Sequence, residues 1–198
     1  MALREHFHQF AAYNAWANAR LYGAALSLDE ELYRRPIGVF FSSLHGTLNH
    51  LLLTDRIWLK RLTGEGEHPN RLDAILHDDR LELASARAAE DRRIIRVVED
   101  FEEEAYGGLV AYRTTSGAAH EQPLRDILAH VFNHQTHHRG QAHACLSILT
   151  GAEPPSLDLL ALQRGAPAPD LPALAESGRQ DGPNSIRRGL PARESASH

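Results

Sequence analysis

Apolar residues recur at alternating spacings of four and three along most of the chain, the pattern of helices that each bury one stripe. In the first segment Leu3, Phe7, Phe10, Asn14, Ala17, Leu21, Ala24 and Leu28 follow it and predict one long helix. Ser27-Leu28-Asp29-Glu30 has the form of a capping box for a short turn of helix, which Pro36 ends. Ser42 or Ser43 can cap the next helix, whose stripe is Leu44, Leu48, Leu51, Asp55, Trp58 and Leu62, with Gly64 as its stop. Residues 64–80, GEGEHPNRLDAILHDDR, are polar and hold turn formers, so they predict a long connection. A further long helix is expected over 81–105, with Ile94, Val97, Val98 and Phe101 inward and Gly107-Gly108 ending it. Val110, Tyr112 and Thr114 then alternate before Gly117, which predicts a small hairpin or an extended crossover. Pro123 suits the first position of a last long helix that runs to Thr150, with Gly151 as its stop. Ser156 can cap a short helix, SLDLLALQR.

Four long helices predict an all-α fold, a four-helix bundle, over residues 1–164. Residues 165–198 hold five of the ten prolines and few large apolar side chains, so a mobile tail is expected there.

Composition narrows the function classes. A formal net charge of −5 argues against general nucleic-acid binding, where phosphate neutralisation supplies most of the affinity. The one cysteine, Cys145, excludes an intrachain disulfide and a multi-cysteine zinc site and reads as a small buried hydrophobe. No apolar run approaches the length of a membrane span, and MALREHFHQF lacks the apolar stretch of a signal peptide. A cytoplasmic protein is expected.

The chain has 13 histidines. In the last helix the inner stripe is expected to be Leu124, Ile127, Val131, His134, His138, Gln141, Cys145 and Ile148, so two imidazoles replace apolar residues one turn apart on one face. Buried rings need partners. Two imidazoles at i and i+4 can grip one metal ion, as in zinc helices of the HExxH type, although the Glu of that motif is missing here. Chance alone gives about one i,i+4 histidine pair in a chain of this composition. Spacing therefore supports a core pair bonded to other side chains as well as it supports a metal site. A third ligand would come from His6, His8, His45, His50 or Asp55, and periodicity does not choose among them. Asp55, on its own inner stripe, could instead orient a ligand imidazole or pair with Arg139. Arg139 fits a structural salt bridge better than an anion clamp, and Tyr13, Trp16 and Trp58 fit the core better than a pocket wall. A di-iron site would need paired Glu-x-x-His strings on separate helices, and the string Glu65 to His68 lies in a Gly/Pro loop.

HVFNHQTHHRGQ at 130–141, preceded by LRDILA, resembles the signature of the DinB family, the DinB/YfiT-like metalloenzymes. TLNHLLLTDRIWLKRLTGE, with His50 followed by Asp55 and Trp58, resembles that family's second helix, FFSSLHGTLNH the approach to it, and AAYNAWANARLY the first helix. The resemblance covers residues 11–150 and implies an up-down-down-up bundle with one divalent metal held by His50, His134 and His138. Nitrogen ligation suits zinc or nickel and leaves iron and copper open. Relatives include thiol S-transferases and thiol-dependent isomerases, which implies a small-molecule substrate, a low-molecular-weight thiol and a homodimer, the last also suggested by spare apolar residues such as Phe40 and Phe41. The competing expectation is a non-catalytic metal-binding or stress-response protein. A nucleic-acid-associated role, prompted only by the family's damage-inducible name, finds no basic helix face to support it.

Overall fold

The computed structural model describes residues 2–69 and 71–172. Its long helices are α1 (Leu3–Leu26), α3 (Leu44–Thr63), α4 (Arg80–Glu99) and α5 (Leu124–Thr150), with short helices α2 (Glu30–Arg34) and α6 (Leu159–Gln163) and a hairpin of β1 (Leu109–Arg113) and β2 (Ala119–Pro123). Side-chain bonds fix the directions. Asn49 reaches the carbonyl of His77 and Arg93 reaches Thr63, so α3 and α4 run parallel. Arg139 bonds Asn14, and Phe132 stacks near Phe7, which makes α1 and α5 parallel. Gln135 bonds Asp55 while His138 lies against His50, so α3 and α5 are antiparallel. The path is up-down-down-up, and the connection over 64–79 is long because it returns the chain to the start of a parallel neighbour.

Local chemistry accounts for the ends. Ser43, not Ser42, caps α3 by accepting from Gly46 N, and Gly64 closes it at φ 76°. Asp29 caps α2 through Leu32 N at 2.7 Å, whereas Ser27 is still bound into the last turn of α1. The cap thus lies two residues beyond the expected one and, with Leu32 in place of Glu30 at its third position, is not a capping box. Helix α4 stops at Glu99 rather than 105. A 3-10 turn, Glu103–Gly107, follows it and turns Tyr106 into the core. That turn also carries the Glu103 carboxylate to Leu3 N and Arg4 N, both at 2.9 Å, where it satisfies the N-terminus of α1 that Ala2 cannot cap. Pro123 ends β2 and stands just before α5 rather than inside it, and Asp158, not Ser156, precedes α6. The hairpin pairs antiparallel with Ala111 opposite Glu121.

Two apolar clusters fill the bundle. One gathers Leu21, Tyr22, Leu44, Leu48, Leu52, Leu83, Cys145 and Leu146; the other gathers Phe7, Leu59, Ile94, Tyr106, Leu128 and Phe132. Between them lies a polar layer that periodicity does not reveal. Arg87, fully buried, donates to Asp55 at 2.7 Å and stands 2.8 Å from Asp91 Oδ1, a charge contact misaligned for a hydrogen bond. Asp91 accepts from Asn14 and Asn18, Gln135 donates to Asp55 and to the Leu51 carbonyl, and Arg139 donates to Asn14. The expected Asp55–Arg139 pair is not formed, because Arg87 on α4 takes the carboxylate. Burial pushes Asp55 up to about 6 against the pull of Arg87.

Residues 165–172 lie against α1. Trp16 Nε1 donates to Ala166 O at 2.8 Å, Arg20 bonds Pro167 O, and Leu171 packs on the first cluster. The rest of the expected tail, 173–198, lies outside the described residues.

Replacing Arg87 with Met should cost roughly 3–5 kcal/mol in urea unfolding, because two buried carboxylates lose their counter-charge. Replacing Gly46 with Ala should cost roughly 1–3 kcal/mol, since the added Cβ would lie 2.1 Å from Phe41 O. Unchanged unfolding midpoints would contradict both expectations.

Candidate metal centre

His50 lies near the middle of α3, and His134 and His138 are one turn apart on α5. Because α3 and α5 are antiparallel neighbours, the three rings meet on one side of the bundle. One ring nitrogen from each lies within 4.8 Å of the others. The ring centroids are 4.3 Å apart for His134 and His138, 4.4 Å for His50 and His138, and 5.5 Å for His50 and His134. His6, His8, His45 and Asp55 are not part of this cluster. His45 instead shares a hydrogen bond with the Tyr33 hydroxyl at 3.1 Å.

The tautomers follow from the outer partners. His50 Nδ1 lies 2.7 Å from the Leu72 carbonyl, an acceptor only, so Nδ1 carries the proton. His138 Nδ1 lies 2.7 Å from Gln141 Oε1, again an acceptor, and is protonated for the same reason. Both Nε2 atoms are then bare lone pairs, and they stand 3.3 Å apart with no proton to share. Two neutral acceptors at that distance repel unless something electron-poor sits between them. Tetrahedral ligand nitrogens around an ion at 2.0–2.1 Å are separated by about 3.3 Å. The donor set and its spacing fit a divalent transition metal.

Phe41 closes one side of the cluster. Its ring stacks on His50 at 4.0 Å with an interplanar angle of 22°, and its edge meets His138 at 5.6 Å. The bend that places it has Ser42 at φ 69°, a left-handed conformation rare for a residue with a side chain, and passes close over Gly46. Phe40 beside it is 89% exposed.

The rings are electrostatically ready for a cation. Burial holds His50 down at about 4, with the His138 ring adding to the effect. Burial and the surrounding histidines hold His134 down at about 3. His138 is lowered too, mainly by burial. All three rings are neutral at neutral pH, the form that can bind a metal.

The position of the pair differs from the sequence expectation. The buried line of α5 is Leu128, Phe132, Gln135, Arg139, Ala142 and Leu146, flanked by Ile127, Val131 and Cys145. His134, His138 and Gln141 lie half-buried at its margin, and Ile148 is 64% exposed. The core-facing line is thus rotated about the helix from the expected stripe, of which Cys145 is still fully buried. Sequence reasoning also missed Phe41 as a wall and the Leu72 carbonyl as the orienting acceptor. Neither leaves a signal in composition. Gln141 did, three residues after His138 on the same face.

A profile of the DinB family matches residues 2–176. Protein DinB of Bacillus subtilis (strain 168) is 27% identical over 142 residues, which cover 68% of this chain and 80% of that protein. The crystal structure of a DinB-like protein from Bacillus cereus ATCC 10987 aligns with a TM-score of 0.58 at 16% identity, over 74% of this chain and 94% of that one. That second likeness is one of fold. With the profile spanning nearly its whole length, the chain belongs to the DinB family.

Proposed function

We propose that the protein is a metal-dependent enzyme in which His50, His134 and His138 hold one divalent transition ion, zinc or nickel in first place. The observation that carries this reading is the pair of unprotonated Nε2 atoms 3.3 Å apart, each fixed in that tautomer by an acceptor behind its ring. An ion with three protein ligands keeps a position for a water or a thiol and lowers its pKa, which suits transfer or addition of a low-molecular-weight thiol to an electrophile. The chain's own residues do the rest. The Leu72 carbonyl and Gln141 hold the two rings in register, and Phe41 shields the His50 face from water. The half-buried His134 and His138 leave the other side reachable by a small molecule. A purely structural metal would be enclosed, whereas two apolar clusters already support this fold without one.

Metal analysis of the purified protein should find about one equivalent, held by three nitrogen ligands. Chelation should leave the helical circular dichroism intact and lower the melting temperature, since the ion binds only the native state. His134→Ala should lose the metal and any thiol-transfer activity. His143→Ala, whose ring only touches the Pro155 carbonyl at 3.1 Å, should keep both. Full activity after stringent metal removal would defeat the catalytic reading, and an unfolded apoprotein would make the ion structural.

The pH dependence has a defined sign. Protons compete with the ion for the same nitrogens, and the folded rings accept them only near 4 for His50 and 3 for His134, not near the usual 6.5. Metal occupancy should therefore persist well below pH 6.5 and fall as the pH approaches 4. In chelator, the unfolded chain takes up those protons first, so the two rings lower stability as the pH falls from 6.5 toward 4. Asp55 contributes in the opposite sense, because its raised carboxyl is protonated first in the fold. A double variant with His50→Gln and His134→Gln should lose most of the rings' contribution. Release of the ion at pH 6.5 would show ordinary, unshifted ligands.

A further inference from the structure

A concave site lies apart from the His50–His134–His138 cluster, between the end of α3, the connection that follows it and the β1–β2 hairpin. The cleft measures about 320 Å³, and its walls include Lys60, Arg61, His68, Tyr112, Arg113 and Thr114. That volume is at the low end of the range for small-molecule sites. Three of these side chains are fixed cations, in a chain whose net charge is −5.

Arg61 is the informative residue. Its guanidinium lies over the Trp58 ring at 4.5 Å and within 5.3 Å of the Tyr112 ring centre. Among the described residues it makes no ion pair with a carboxylate, unlike Arg34, Arg71 or Arg93, each of which has one. A guanidinium held by its face on aromatic rings keeps the N–H donors at its edge for an oxyanion. Burial already works against its charge, and the charge of Arg61 in turn helps to hold the neighbouring His130 below its ordinary range. Arg113 has one guanidinium nitrogen tied to the Gly117 carbonyl at 2.9 Å, which steadies it on the hairpin and leaves its other donors. Lys60 is the one lining cation that already has a carboxylate, the exposed Glu67 at 3.3 Å, so a ligand would compete with that side chain.

We infer that this cleft binds an oxyanion, the carboxylate or phosphate of a small metabolite, with Arg61 and Arg113 as the principal donors. It is separate from the metal centre: His50 and Arg61 share α3 and are eleven residues apart, about 16 Å along the axis. The inference does not rest on the metal-dependent reading, and its test removes the metal.

Chelator-treated full-length protein labelled with ¹⁵N would be titrated with inorganic phosphate and, separately, with succinate, at constant ionic strength held by chloride. Saturable shifts at residues 60–61 and 112–115, with millimolar or tighter affinity, are expected. Tighter phosphate binding would assign the site to phosphate-bearing ligands and tighter succinate binding to carboxylates; equal binding supports an oxyanion site common to both. Arg61→Gln should weaken binding at least tenfold, and Arg125→Gln, at an exposed arginine on α5, should leave it unchanged. Arg113→Gln, on the exposed side of the hairpin, decides the matter if Arg61→Gln does not fold. Shifts that grow linearly and equally with chloride, or affinities unaltered in both cleft variants, would overturn the proposal.

Discussion

The charge contact between Arg87 and the Asp55 and Asp91 carboxylates sets the register on which the rest of the molecule depends. Each helix brings a piece of the polar layer at one level: Asn14 and Asn18 from α1, Asp55 from α3, Arg87 and Asp91 from α4, Gln135 and Arg139 from α5. Apolar surfaces slide past one another at little cost, since Leu on Leu is much the same one turn along. A buried guanidinium that must meet two carboxylates does not slide, because a shift of one turn would leave full charges in the core without partners. The layer contributes little net stability over an apolar core of the same shape, but it makes wrong alignments expensive.

The three-histidine cluster inherits that alignment. Asp55 follows His50 by five residues on α3, and Gln135 and Arg139 directly follow His134 and His138 on α5. The bonds from Gln135 to Asp55 and to the Leu51 carbonyl, next to His50, therefore clamp α3 to α5 at the level where the three rings meet. The ring tautomers are then fixed by a carbonyl in the long connection and by Gln141 on α5. One long loop thus serves two ends. It lets α4 run parallel to α3, and it supplies the acceptor behind His50.

The helices, their stops at Gly64 and Gly151, and the pair on α5 were legible because each follows from periodicity, capping or spacing within one segment. What was not legible is what depends on contacts between segments. Arg87 and Asp91 look like surface charges on a helix with few large apolar residues, and only the facing Asp55 makes their burial tolerable. Choosing His50 over His45 needs the rotation of α3 about its axis; periodicity left both open, and the family resemblance pointed to His50. The Leu72 carbonyl is backbone, which carries no residue signature at all. Phe41 reaches His50 through a bend that a positive φ at Ser42 and the bare Cα of Gly46 make possible, and neither is visible as a pattern.

Placing the histidines at the margin of the seam resolves two opposed demands. A ring in the centre of the core would be neutral but closed to any substrate, and the polar layer beside it would compete for its nitrogens. A ring on the open surface would be reachable but would titrate near 6.5 and lose a metal in mild acid. At the margin, burial on one side and Phe41 over His50 hold the rings neutral, while the half-exposed faces of His134 and His138 stay open to solvent. Those two positions lie beside the buried line through Gln135, Arg139 and Ala142 rather than on it. The departure from an ideal buried stripe is therefore the feature that gives the site both its neutral rings and its access.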